Sequence, residues 1–207
     1  MKTKEKIIHT ALRLFNEEGE PNVTTNHIAD EMDISPGNLY YHYRSKDDII
    51  WQIFLNYEKK IKHVLSQQNV NYTSMEDMWL YLHMVFEVIA EYRFLYRNLI
   101  QLMNRMDFLK RHFRHILALK SQTALNIMQH LAQQGAIKAD EQTIASLADQ
   151  IALTTTFWLN YSIAIYDDNF DEEKKLSHGI FHVMRMVAPF LTERDKEVLD
   201  DLSTQYL

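Results

Sequence analysis

Apolar residues along this chain recur at spacings of three and four rather than two, and long runs pass without glycine or proline, a pattern that predicts helices almost throughout. Ile7, Ile8, Ala11, Leu12 and Phe15 mark a first helix from about Thr3, ending at Gly19. Thr24 suits the N-cap of a short second helix with Ile28, Ala29 and Met32 on one face, which Asp33-Ile34-Ser35 interrupts. Ser35 followed by Pro36 favours an immediate restart, because the N–H that proline lacks has no partner at the first helical position; this third helix runs to about Tyr43. Ser45-Lys46-Asp47-Asp48 opens a long fourth helix, a serine cap answered by an acid three residues on, and it continues to Ser66 before a loop over residues 67–72. Ser74 with Asp77 then opens a helix to about Tyr92, and another spans Phe94 to Met103. Asp107 starts a long helix closed by Gly135 as C-cap. Asp140 caps one reaching about Tyr166, Asp171 opens one that ends before Pro189, and Thr192 begins the last. The expectation is an all-α chain of about nine or ten helices. It divides into an N-terminal three-helix module (1–47), a connecting helix shared by two domains (48–66) and a C-terminal helical domain (67–207).

Two short helices joined by three or four residues and braced by longer ones match the helix-turn-helix arrangement, whose second helix enters the major groove of DNA. The composition of that helix agrees. Leu39 and Tyr43, four apart, can face a core, which leaves Gly37, Asn38, Tyr40, Tyr41 and His42 for a nucleic acid.

Composition changes this picture little. Hydrophobic residues make up 46% and charged residues 24%, an ordinary globular balance. The absence of cysteine excludes disulfides and cysteine-ligated zinc and agrees with a reducing cytosol. The N-terminus turns polar too soon for a signal peptide. The longest uncharged stretch, Gln150 to Tyr166, contains three threonines, Asn160 and Ser162 and falls short of the ~20 apolar residues of a membrane span, so a cytoplasmic protein with no membrane partner is expected. Net charge matters more. The chain carries −6, yet residues 1–46 hold six Lys/Arg against seven acids and are nearly neutral. Such a module suits a few well-placed DNA contacts and argues against broad electrostatic binding.

The stretch Thr24-Thr25-Asn26-His27-Ile28-Ala29, followed by Ile34-Ser35-Pro36-Gly37-Asn38-Leu39-Tyr40-Tyr41-His42-Tyr43-Arg44-Ser45-Lys46, resembles the DNA-binding domain of TetR-family regulators. The resemblance implies that Thr25, Tyr40, His42 and Lys46 hold DNA phosphates, while Asn26, Gly37, Asn38 and Tyr41 approach base edges. Asn38 departs from the small hydroxyl residue expected at its position, which leaves the operator sequence open. By the same resemblance the protein is a homodimer on a near-palindromic operator, a repressor released by a small, largely apolar effector, with no cofactor. Its last two long helices would build the dimer interface, with Thr154, Trp158, Ile165, Gly179 and Val183 as candidates. Candidate pocket residues are Trp79, His83, Phe86, Tyr92, Phe94, Tyr96, Met103, Met106, Phe113, Trp158 and Tyr161, since such pockets are mostly apolar with a few polar groups.

Two alternatives remain at this stage: a helical adaptor that binds another protein, and a metal-binding helical enzyme. No histidine has Glu three residues before it, and glycine-rich phosphate loops are absent. His112/His115 and His178/His182 have helical spacing for two ligands but no carboxylate near them in the sequence, so no metal is expected.

Overall fold

The computed structural model describes residues 2–66, 74–166 and 171–203, so the loop expected over 67–72 lies outside the described residues. Among the described residues are eleven α-helices. They are α1 (Thr3–Leu14), α2 (Thr25–Glu31), α3 (Pro36–His42), α4 (Lys46–Leu65), α5 (Met75–Glu91), α6 (Arg93–Arg97), α7 (Leu99–Arg105), α8 (Asp107–Gln133), α9 (Glu141–Ile165), α10 (Glu172–Val187) and α11 (Glu193–Ser203). A π turn, Phe15–Gly19, and a 3₁₀ turn, Glu20–Asn22, follow α1. The caps form where side-chain chemistry places them. Thr24, Ser35, Ser45 and Asp140 each accept a backbone N–H three residues on, at 3.1, 3.2, 3.1 and 2.8 Å. Ser74 and Asp77 close a reciprocal capping box at 3.2 and 3.3 Å.

One expected helix is two. The segment from Phe94 to Met103 breaks at Asn98, whose φ of −106° and ψ of 15° end α6 and start α7, and this raises the number of helices above ten.

The chain folds as two compact units, Met1–Lys60 with Tyr92–His112 and Ile61–Glu91 with Phe113–Leu207. Helices α4 and α8 run continuously from one unit into the other. Helices α6 and α7 join the first unit although they follow α5 in the chain. Their anchors are specific. Phe94 packs its ring 5.1 Å from Phe15, and the N–H of Phe94 donates to Asn16 Oδ1 at 3.1 Å, which satisfies an amide at the start of α6. The buried hydroxyls of Tyr57 and Tyr96 lie 2.7 Å apart, and burial pushes both phenols above their usual range.

The core of the second unit is formed by α5, α8, α9, α10 and α11. Gly135, at φ +80°, terminates α8 with a bond from Ala136 N–H to Leu131 O, the left-handed cap that favours glycine. Gly179 has another use: a Cβ there would come within 2.6 Å of both Phe86 and Trp158, so α10 approaches α5 and α9 at a distance only glycine permits.

Candidate nucleic-acid interface

The turn between α2 and α3 is made by the backbone. Asp33 adopts φ +53° while Ile34 N–H donates to Ala29 O at 3.0 Å, a six-residue closure that folds the chain back so that α3 starts at Pro36. Leu39 (0% exposed) and Tyr43 (6%) turn into the core, as their spacing predicts. The other face of α3 is open. Tyr41 is 85% exposed and Tyr40 46%, with Gly37 and Asn38 exposed beside them and His42 half-buried. From α2, Asn26 is exposed and Thr25 half-buried. Seven of the eight expected contact residues are therefore exposed or half-buried on these two short helices.

Two details of this surface bear on its chemistry. Thr25 Oγ1 and Tyr40 OH lie 2.9 Å apart, so one hydroxyl donates to the other and one proton stays available for an external acceptor such as a phosphate oxygen. At Gly37 a Cβ would meet only Ser35 Oγ, at 3.9 Å, so the fold leaves room for a side chain there, and what glycine supplies is a low surface.

The eighth residue differs. Lys46 was expected on a phosphate, but its ammonium donates to Glu20 O at 2.8 Å and Val23 O at 3.0 Å, and pairs with Glu20 Oε1 at 2.9 Å. An ammonium has three protons, and these three acceptors account for them inside the module. Glu20 is the centre of the arrangement. It is 2% exposed and accepts a second cation, Arg105 of α7, at 2.9 Å; Arg105 also reaches Asp47 at 3.1 Å. Pairing on this scale is what keeps a buried carboxylate tolerable. Lys46 thus staples the loop that precedes α2 to the start of α4, and Arg105 extends the staple to α7. The sequence reading missed Glu20 and Arg105. Glu20 sits in a loop where an acid reads as solvated, and its partners are 26 and 85 residues away.

The expected C-terminal sites are redistributed. Tyr92, Phe94, Tyr96, Met103 and Met106 belong to the first unit, whereas Trp79, His83, Phe86, Phe113, Trp158 and Tyr161 belong to the second. Phe86 (2%) and Phe113 (0%) are closed core residues, the Trp79 and His83 rings meet at 4.3 Å tilted by 57°, and Tyr161 is 55% exposed. Among the interface candidates, Trp158, Gly179 and Val183 are buried within the subunit, Trp158 by packing on α10 with its indole N–H donated to Lys175 O. Helix α9 exposes Leu153, Phe157, Tyr161 and Ile165 as a stripe at four-residue spacing, and Ile163 beside it. Leu153, Thr154, Phe157, Trp158 and Tyr161 line an open groove of about 310 Å³ with His182 and Met186 of α10, so the edge of the largely buried Trp158 reaches it. Periodicity could not separate these faces, because α9 is apolar around most of its circumference.

Histidine chemistry gains one neighbour unseen in the sequence. Glu58 of α4 meets His112 Nδ1 at 3.0 Å, so that histidine does have a carboxylate beside it. His178 bonds Tyr166 OH at 2.8 Å. Among the described residues no three His, Asp or Glu side chains gather as metal ligands, and no helix is long and apolar enough to cross a membrane.

A Schellman-type turn between two short capped helices, with α3 presenting polar-tipped aromatics, defines a helix-turn-helix transcriptional regulator. Comparison with known proteins gives the family. Residues 7–53 match the family described as bacterial regulatory proteins, tetR family, and residues 56–199 match the TetR family of bacterial transcriptional repressors. A TetR-family transcriptional regulator from Marinobacter aquaeolei VT8 is 35% identical, with a TM-score of 0.89 over 100% of this chain and 99% of its own. A transcriptional regulator from Saccharomonospora viridis, solved in complex with choline, shares the fold at 16% identity, with a TM-score of 0.70 over 92% of this chain and 98% of that one. An HTH-type transcriptional regulator of Staphylococcus aureus (strain USA300) is 36% identical over 66 residues, 28% of this chain; the chain spans 36% of that curated relative's length. The chain belongs to the TetR family of transcriptional regulators.

Proposed function

We propose that this regulator is a homodimeric repressor that places two copies of α3 in successive major grooves, about 34–36 Å apart, on a near-palindromic operator. The observation that carries the reading is the surface joining α2 to α3. Asn26, Gly37, Asn38 and Tyr41 form its base-reading part, with Asn able to donate and accept on one adenine edge. Thr25, Tyr40 and His42 hold phosphates, and the Lys46 staple fixes the angle at which they are offered. The near-neutral charge of residues 1–46 makes a single head a weak binder, so dimerisation is part of the function.

The second copy supplies the cover for the exposed stripe Leu153, Phe157, Tyr161 and Ile165 on α9. Large apolar side chains in a row on a regulator that needs two heads are the natural isologous contact. Release follows when a small, largely apolar effector binds the C-terminal unit better in a conformation that spaces the heads differently, with α4 as the lever.

The test is gel retardation on DNA from upstream of the protein's own gene. Tyr41→Ala and Asn38→Ala are expected to lower affinity for the specific fragment about 10- to 100-fold each while binding to random DNA changes little, since each contact discriminates bases by roughly 1–3 kcal/mol. Unchanged binding by both variants would place the contact surface elsewhere.

A further inference from the structure

The first unit uses its cations in two ways. Of the six Lys/Arg within residues 1–46, Arg13 pairs with Glu17 and Glu31, and Lys46 is held by Glu20. The other four, Lys2, Lys4, Lys6 and Arg44, are exposed and form no ion pair among the described residues. The lysine expected on a phosphate is thus spent inside the module, and a head that approaches a polyanion keeps its open charge elsewhere.

Tyr43 decides where that charge stands. It is the C-cap of α3, its side chain is buried, and its hydroxyl donates to Lys4 O at 3.5 Å. The Lys4 ammonium lies over the same ring, 5.3 Å from its centroid. Lys4 precedes Ile7, Ile8 and Ala11 by three, four and seven residues, so it continues the buried stripe of α1 by one turn and ends it with a cation. Arg44 leaves on the other side. The backbone of Tyr43 is extended, at φ −140° and ψ 123°, so successive side chains turn opposite ways, Tyr43 inward and Arg44 outward. Lys4 and Arg44 therefore flank Tyr43 at the C-terminal end of α3. Lys6 does not share this place: it stands about 200° around α1 from Lys4, on the outer face with the exposed His9. The one acid among these lysines, Glu5, accepts the Lys2 N–H at 3.0 Å.

We propose that Lys4 and Arg44 form a further phosphate site, a pair of cations on either side of Tyr43 that grips the DNA backbone beyond the end of α3. This rests on the reading of α3 as the helix in the groove and adds the contacts that hold it there. Base edges are met by the first residues of a recognition helix, so what lies past its last turn is sugar and phosphate. The two side chains suit that acceptor in complementary ways. Arginine offers paired N–H groups to two phosphate oxygens, and lysine brings a point charge on a flexible stem. The site takes the part that Lys46, committed to Glu20, leaves open.

The experiment is gel retardation by the full chain, on DNA from upstream of its own gene and on random DNA of equal length, from about 50 to about 200 mM salt. The variants are Lys4→Gln, Arg44→Gln, Lys4→Arg and Lys6→Gln. In a dimer, Lys4→Gln and Arg44→Gln each remove two phosphate contacts. The slope of log affinity against log salt should become shallower by about 2 for either, and the wild type's advantage should shrink about tenfold across that range. The loss should be alike on upstream and random DNA, since phosphates carry no sequence. Lys4→Arg should keep the wild-type slope, and Lys6→Gln should change it by less than half as much as Lys4→Gln. Should Lys4→Gln disturb the packing of Tyr43, ethylation interference gives a second reading: phosphates whose ethylation weakens binding by the wild type should lose that effect with Arg44→Gln. A variant that leaves the slope unchanged removes its residue from the site, and unchanged slopes for both overturn it. An equal drop for Lys6→Gln overturns it too, because net charge alone would then explain the loss. Asn38→Ala measured alongside separates the two levels. If it abolishes the preference for upstream DNA while Lys4→Gln and Arg44→Gln change nothing, the phosphate site falls and the reading of α3 stands; if none of the three alters binding, both fall.

Discussion

Each of the two units buries a charge, and the acceptors and donors around the two differ. In the first, the Glu20 carboxylate has a lysine and an arginine at 2.9 Å each, and the lysine's remaining protons go to two backbone carbonyls. In the second, the Lys120 ammonium meets hydroxyl and carbonyl oxygens at 3.3–3.5 Å. A fully answered buried charge fixes one geometry, which is what the proposed presentation of Asn38 and Tyr41 to base edges would require. The exposed residues divide in the same way. The open aromatics of the first unit, Tyr40 and Tyr41, carry hydroxyls suited to a hydrated polyanion, whereas Leu153, Phe157 and Ile165 of the second suit another protein surface.

The contrast can be broken at several points. The largest effect is expected from Phe157→Glu, which puts a charge in the apolar stripe of α9. Sedimentation should show monomers, and operator affinity should fall by about 100-fold or more as the second head is lost. Next, Glu20→Ala leaves Lys46 and Arg105 without their shared carboxylate. Removing one partner of a fully buried pair costs about 3–5 kcal/mol. Because Lys46 and Arg105 are 24% and 41% exposed, solvent takes part of that, and urea denaturation should show a loss nearer about 2–3 kcal/mol. Gly179→Ala comes third, at about 1–3 kcal/mol, since its Cβ would collide with two rings that the core holds in place.

A smaller effect separates the units by pH. The Lys120 amine is lowered from 10.5 to about 7 by burial, so between these values the unfolded chain binds more protons than the folded one. Stability contributed through Lys120 therefore rises with pH across that window and is lowest below it. Lys120→Met removes the dependence, and its advantage in melting temperature over the wild type should shrink as pH rises from 7 to 10. Glu20→Ala should show no such trend in that range. The smallest change in stability is expected for Gly37→Ala. In the open first turn of α3, alanine should leave the fold intact or improve it by up to about 1 kcal/mol, while specific DNA binding declines because the added methyl holds the backbone away from the groove. Unaltered binding by Gly37→Ala would remove this glycine from the contact surface.

What could be read from the sequence follows the range of the interaction. Helix starts were legible at Thr24, Ser35, Ser45, Ser74 and Asp140 because a cap is made within three residues. The orientation of α3 was legible because Leu39 and Tyr43 are one turn apart. The division at Asn98 was not, since its backbone angles suit the packing of Phe94 and Tyr96 into the first unit. Nor was the task of Lys46, which depends on a glutamate 26 residues earlier. Trp158, Gly179 and Val183 were placed at a dimer interface because helical period alone does not say which apolar face of α9 or α10 meets its own subunit. Lys120 did leave a trace: a lone cation four residues after Ile116 and four before Ala124 interrupts an otherwise continuous stripe, and the three consecutive threonines of α9 interrupt another.

The central claim, that two copies of α3 read successive major grooves, is tested most directly by hydroxyl-radical footprinting of the purified protein on DNA from upstream of its own gene, over a range of salt. Protection should fall in two related half-sites centred about one helical turn apart, roughly 10–10.5 base pairs, and weaken steeply as salt rises. Protection of a single patch, or equal retention of random and upstream DNA at every salt concentration, would contradict it.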